Sequence, residues 1–280
     1  MAMMATRLLC HALGGGLGPV TRTRAVLEAS GLDGAVALLA APGAAAVAGG
    51  LELRSPDYDD AADPPALARW IARQIADWEA DALLVDALPG GVMGELCGLA
   101  ALDGLELRHT ARLLRWAAYA RRLEGPLPRY DAAHVVEPLH PGHERALAGL
   151  AGAVAPLDLP APPPAGPPPG PGAPWLVVHT GPAREVRALA RIADERRGGA
   201  PLHVVAPITV EDLPAGAERL DAIPAAPRYA GAAGIVTAAG FNTVRELAPY
   251  RDRHVCVPFD RRLDDQHTRW LRRGASGPAI

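Results

Sequence analysis

Lysine is missing from this chain altogether, so its 28 basic residues are all arginine. That absence removes Schiff-base chemistry on a side-chain amine and the lysine of a Walker-type phosphate loop. Aromatic side chains make up only 4% of the chain, which leaves Ala, Val and Leu to build the core. Cysteine occurs three times, at Cys10, Cys97 and Cys256, each inside an apolar run and far from the others. Such spacing excludes a disulfide framework and a zinc site, and reads as reduced core thiols. Long apolar runs are also lacking: the Ala-rich stretch 35–50 is broken by Pro42 and several glycines, too short to span a bilayer. At the start, MAMMATRLLCHALGGG interrupts its apolar stretch with His11 and glycine, which suits a first strand better than a signal peptide. A cytoplasmic protein without a transmembrane segment is the expectation. Finally, 31 acidic residues outweigh the arginines for a net charge of -3, against a nucleic-acid footprint.

What is present has an ordinary globular composition, 49% apolar and 21% charged, and 280 residues suffice for two cores. The boundary is PLDLPAPPPAGPPPGPGAP, residues 156–174, whose prolines lack amide donors and stay extended. A first domain over 1–155, a Pro-rich linker over 156–174 and a second domain over 175–280 follow. In the first, TRLLCHAL, AVALLA and ALLVD read as buried strands. They alternate with helical periodicity over 20–30 and 65–80, the pattern of a parallel α/β sheet. In the second, WLVVHTG, LHVVAP, GIVTAAG and HVCVPF are the strands, with helices over 183–197 and from near Asn242. Residues 100–155 carry little signal.

Open parallel sheets bind ligands beyond the carboxyl ends of their strands. Those ends are His11 with Gly14, Gly15, Gly16 and Gly18; Asp86 with Gly90 and Gly91; His179, Thr180 and Gly181; and Gly240 to Thr243. The strongest local signal is TAAGFNTVREL, 237–247. There a buried strand turns at Gly240, Asn242 is placed to cap the next helix, and Thr243 adds a hydroxyl at an anion-binding helix start. Asp57, Asp59 and Asp60 mimic an Asp-x-Asp metal motif but lie in a polar stretch before a helix. His140 and His143 lack a third ligand of zinc spacing. No metal or cofactor is expected.

The run IPAAPRYAGAAGIVTAAGFNTVREL with VCVPFDRRLDDQHTRWLRR, about Ile223 to Arg273, resembles the donor-binding half of GT-B glycosyltransferases, including the lipid II-forming N-acetylglucosaminyltransferase family. Weaker echoes occur at HALGGGLGPVTR and LLVDALPGGVMGEL. The resemblance implies two Rossmann-like domains facing a cleft. It also implies metal-independent, inverting transfer of a sugar from a nucleoside diphosphate, UDP by likeness, to an acceptor hydroxyl or amine. It would set Gly240, Asn242, Thr243, Thr180 and Gly181 near the donor diphosphate, Glu246 on the ribose, and Asp265 and Gln266 on the sugar hydroxyls. Gly14, Gly15 and Gly16 would form the acceptor-side loop.

One departure matters. The family's glycine loop continues Gly-His, with that His near the reacting centre, whereas here Gly18 precedes Pro19. A general base is worth about a hundredfold to ten-thousandfold, so another group must take the proton, and His11 and Asp86 are the candidates by position. The second domain is also shorter than is usual for the family. An epimerase or hydrolase of the same fold and a non-catalytic nucleotide-binding partner are the alternatives. A dinucleotide oxidoreductase fits poorly, because GGGLGP departs from G-x-G-x-x-G and no acid ends the strand at Ala40.

Overall fold

The computed structural model describes residues 6–32 and 34–274, which divide into two compact units. Unit 1 comprises residues up to Leu159 together with Arg262–Asp264, and unit 2 comprises Pro160–Arg261 and the chain from Asp265 onward.

Among the described residues, unit 1 holds a seven-stranded sheet in which every pairing is parallel. Its strands are β1 (Arg7–His11), β2 (Ala35–Leu39), β3 (Glu52–Arg54), β4 (Ala82–Asp86), β5 (Glu106–Ala111), β6 (Tyr130–Val135) and β7 (Ala151–Pro156). They lie in the order β3-β2-β1-β4-β5-β6-β7. ALLVD is buried at all five positions, as a central parallel strand covered on both faces must be. One face packs Leu9, Leu39, Leu83 and Val85 against Leu67, Trp70, Ile71 and Ile75 of α2 (Pro64–Trp78). The helical spacing of those four residues makes one apolar stripe, and Asp63 caps the helix by accepting the Ala66 amide at 2.7 Å. Helix α1 (Gly18–Ser30) takes Pro19 in its first turn, where no amide donor is required. The unit is completed by α3 (Trp116–Ala120) and α4 (Pro141–Leu150). The return segment joins it through a bridge between Leu114 and Asp264, with Arg115 N–H donating to the Leu263 carbonyl at 2.8 Å.

Unit 2 repeats the plan with β8 (Trp175–Val178), β9 (Leu202–Val205), β10 (Ala217–Leu220), β11 (Gly234–Ala238) and β12 (His254–Val257) in the all-parallel order β10-β9-β8-β11-β12. Val186, Leu189, Ala190 and Ala193 of α5 (Ala183–Arg196) cover Val177, Val204 and Val236. Helices α6 (Phe241–Glu246) and α7 (Gln266–Gly274) follow β11 and β12. The proline-rich segment divides between the units: Pro156 ends β7, while Pro160 accepts from Arg245 Nη1 at 2.7 Å. Ala165, Gly166, Pro167 and Pro174 help line a cavity of about 250 Å³ near the N-terminal ends of β8 and β9.

The parallel α/β class is thus as the alternation of strands and helices predicts. Strands β5, β6 and β7 fall in the stretch that carries little signal. They are legible only through their pairing.

Candidate functional site

Strand order locates the crevices. In each sheet the winding reverses between the first strand and its later neighbour, between β1 and β4 in unit 1 and between β8 and β11 in unit 2. Loops leaving the carboxyl ends there diverge and leave room for a ligand.

In unit 1 His11 ends β1 and Asp86 ends β4, so the two candidates for proton transfer flank the reversal. Both are buried and engaged. Asp86 accepts two hydrogen bonds from Arg22 of α1, Nε to Oδ1 at 2.7 Å and Nη2 to Oδ2 at 2.5 Å. His11 Nε2 lies 2.9 Å from Oε1 of Glu95, itself buried. Burial alone would raise the Glu95 carboxyl. The hydrogen bond and charge of His11 and the Met93 amide overcome that and hold it below the ordinary carboxylate range. As an ionised carboxylate only accepts, His11 Nε2 is the donor in this bond.

Glu95 is the residue that sequence reasoning misses. Its signal is a single acid among apolar and glycine neighbours in PGGVMGELCG, a position that must be paired if buried. It also accepts the amides of Val92 at 2.9 Å and Met93 at 2.7 Å, so it organises the loop after β4. Gly91 has φ +87°, and a Cβ built there would come 2.3 Å from the Glu95 carboxyl carbon. Gly91→Ala is therefore expected to lower the unfolding free energy by about 1–3 kcal/mol, read as a lower urea midpoint. A midpoint within error of the parent would contradict this packing.

The loop Gly14 to Gly16 leaves β1, with Gly15 and Gly16 exposed. A Cβ at Gly14 would press on Pro19 at 3.3 Å, so Pro19 packs against the glycine loop. Farther from the reversal, His143 stacks on Trp116 with ring centroids 4.5 Å apart, and His140 caps α4 by accepting the Gly142 amide at 3.1 Å. Asp57 accepts the Asp60 amide at 2.7 Å, and Asp60 pairs with Arg73 at 2.5 Å.

In unit 2 the loop after β8 carries His179, Thr180 and Gly181, and the turn after β11 carries Gly240 to Thr243. The first turn of α6 differs from expectation. Gly240, not Asn242, is the N-cap, and no side chain caps the helix. Asn242 falls inside a helix of six residues, because the chain enters helical geometry at Phe241. Gly240 itself has φ -70°, ψ 149°, open to any residue, and a Cβ there would meet only Thr243 Oγ1 at 3.7 Å. Among the described residues nothing requires glycine at this position. Gly181 is the opposite case: a Cβ would lie 2.3 Å from His179 Nε2.

Glu246 is half-buried, with Oε1 3.7 Å from Arg245 Nη2 and a hydrogen bond to Tyr229. Burial pushes its carboxyl up despite the charge of Arg245 and the Tyr229 hydroxyl. Asp265 accepts the Thr268 amide at 3.0 Å and the Thr268 hydroxyl at 2.8 Å, which makes it the cap of α7. Gln266 is buried and accepts the Phe259 amide at 3.1 Å. Both therefore shape the loop after β12.

No family model matches the chain, and no curated protein matches it in sequence. Solved structures do match its fold. The spinosyn forosaminyltransferase SpnP superposes with a TM-score of 0.60 at 15% identity, over 97% of this chain and 84% of that one. MurG of Acinetobacter baumannii gives 0.52 at 19% identity over 96% and 82%. The UDP-N-acetylglucosamine 2-epimerase of Rickettsia bellii gives 0.55 at 10% over 94% and 81%. The chain has the GT-B fold.

Within this GT-B chain, each unit gathers its own set of predicted residues at a strand reversal: His11, Asp86 and the glycine loop in unit 1, Thr180, Gly181, Gly240 and Thr243 in unit 2. Glu246, Asp265 and Gln266 have partners of their own on the helices that follow. Among the described residues no helix is long and apolar enough to cross a membrane.

Proposed function

We propose that this GT-B protein is a glycosyltransferase that moves a sugar from a nucleoside diphosphate, uridine diphosphate by its sequence likeness, to an acceptor hydroxyl or amine. The observation that carries the reading is Gly240. It lies at the strand reversal of unit 2, and its missing side chain answers no steric demand of the protein. The space a Cβ would take is the space a phosphate approaching the backbone needs. The fold likeness to two sugar transferases over nearly the whole chain supports the same reading.

In the proposed reaction the acceptor attacks the anomeric carbon and the diphosphate leaves, with inversion and without a metal. Backbone donors at Gly240 and Thr243, with Thr180 and Gly181, would stabilise the charge developing on the leaving oxygen. Glu246 would accept from the ribose hydroxyls, and Asp265 and Gln266 would face the sugar. For the acceptor proton, the geometry favours His11 over Asp86. Glu95 engages only Nε2 of His11 and leaves Nδ1 as a buried atom with no hydrogen-bond partner among the described residues, whereas both Asp86 oxygens serve Arg22.

Calorimetry with uridine and thymidine diphosphates against nicotinamide dinucleotides tests the donor site. Gly240→Val is expected to weaken nucleoside diphosphate binding at least about tenfold with little change in urea midpoint. Glu246→Ala, which removes a charged hydrogen-bond acceptor, is expected to weaken it by about ten- to a hundredfold. A preference for the dinucleotide would eliminate the transferase reading. The likeness to a 2-epimerase favours a second reading, sugar-nucleotide epimerisation. Formation of an epimeric sugar nucleotide without acceptor would select it.

A further inference from the structure

The segment after β12 does something that the strand order makes informative. Strands β8 and β12 are not neighbours, since β11 lies between them. Yet Arg261, four residues beyond β12, donates from Nη1 to Oε1 of Glu185 at 2.7 Å and from Nη2 to its Oε2. Glu185 sits in the first turn of α5, the helix that follows β8. On the same path Phe259 contacts the His179 ring at 5.7 Å between centroids, and Arg261 stands over the Phe259 ring at the same separation. The chain from Pro258 to Arg261 must therefore cross the carboxyl end of β11, above the turn where Gly240 begins. Arg261 is thereby held at the start of α5 beside the Gly181 loop, where a Cβ built at Gly181 would lie 3.0 Å from Glu185 Oε2.

The anchor is built. Glu185 is 5% exposed and accepts from His179 Nε2 at 2.8 Å in addition to the Arg261 fork. Burial would raise its carboxyl, but the bonds and charges of Arg261 and His179 hold it below the ordinary range, so it stays ionised. Gly181 has no side chain because a Cβ would collide with this His179–Glu185 pair. Arg261, by contrast, keeps 27% of its side chain exposed. Arg261 Nη1 also donates to the Asp260 carbonyl at 3.1 Å, and the buried carboxylate fork holds the guanidinium plane at a fixed angle, which is how a planar cation is prepared for a phosphate.

We propose that Arg261 is the cation that meets the donor diphosphate, and that Glu185 is the positioning residue that aims it. This deepens the nucleotide-sugar reading above and rests on it. Spacing along the chain offers no hint of the pair, for 76 positions separate the two residues.

The test is calorimetry on the full chain with uridine diphosphate and thymidine diphosphate, each beside its nucleoside. Arg261→Gln is expected to weaken diphosphate binding at least about tenfold and to leave the nucleoside unchanged, with Arg261→Lys intermediate because it keeps the charge and loses the fork. Glu185→Gln is expected to weaken the diphosphate by about three- to tenfold, again without effect on the nucleoside. A disrupted fold would weaken both ligands alike, so the split between them reads positioning. Unchanged diphosphate affinity in Arg261→Gln and Arg261→Lys overturns the assignment of the cation. Tighter binding in Glu185→Gln overturns the positioning role, since the carboxylate would then be competing with phosphate. If the parent protein binds neither diphosphate, the donor reading itself falls and this assignment falls with it.

Discussion

Asp86→Ala is expected to destabilise unit 1 by about 3–5 kcal/mol, because it strands the buried guanidinium of Arg22 without its counter-charge. Both side chains are almost wholly buried, and the two hydrogen bonds between them join α1 to the end of β4. The cost lies in the orphaned charge rather than in the lost attraction. Accordingly, the double variant Arg22→Met, Asp86→Leu is expected to recover most of the loss. Urea unfolding of the three proteins measures this, and a double variant no more stable than Asp86→Ala would show that the pair is needed for its geometry. The same variants separate stability from chemistry. A folded double variant that retains turnover removes Asp86 from the proton path, while His11→Ala in that background is expected to lower turnover by about a hundredfold to ten-thousandfold.

Acidification is expected to weaken unit 1 steeply between pH 6.5 and 4. Burial, together with the charge of its neighbour His143, depresses His109 to about 3 although its Nδ1 bonds the Val85 carbonyl. Burial likewise lowers His143 to about 4, against support from the Arg112 backbone. In the unfolded chain both titrate near the ordinary 6.5. Below that value the unfolded state takes up two protons that the folded state refuses, so stability is complete above pH 6.5 and falls as the pH drops. Each histidine contributes a slope of about 1.4 kcal/mol per pH unit, about 2.8 for the pair. His143→Phe, which keeps a ring against Trp116, is expected to halve that slope. Urea midpoints between pH 7.5 and 5 provide the check, and a flat profile for the parent would refute the neutral, buried state of these imidazoles. Glu95 acts in a separate window: its folded carboxyl is depressed, so its contribution is present above the ordinary carboxylate range and is lost below it.

Much of the fold is legible in the order of the residues. Strands such as ALLVD and GIVTA are apolar at almost every position, which only a sheet covered on both faces explains, and glycines mark where they end. The strands after residue 100 are not legible for a related reason. ELRHTA and YDAAHV interleave charged residues at exposed or half-buried positions with His109 and Thr110 at buried ones, and that burial depends on pairing with β4 and on the rings of Tyr130 and His143. The candidate site can be read where glycine and a following polar helix sit together in sequence, as at Gly240 to Glu246. It is illegible wherever the partner is distant: Arg22 for Asp86, Glu95 for His11 and Arg261 for Glu185. The turn at Asn242 shows the remaining error, since a capping side chain cannot be told from one two residues inside the helix without backbone angles.

By itself, then, the sequence determined the class of the sheet and the ends of β1, β4, β8 and β11, with the residues that gather there. Those follow from local rules: apolar runs bury, prolines interrupt, and glycines turn the chain. The tertiary structure alone decided which charges meet, because a buried ion pair joins residues brought together by strand order and not by spacing. That is why His11 and Asp86, equivalent in the sequence, separate in the fold into a histidine held by Glu95 and a carboxylate committed to Arg22.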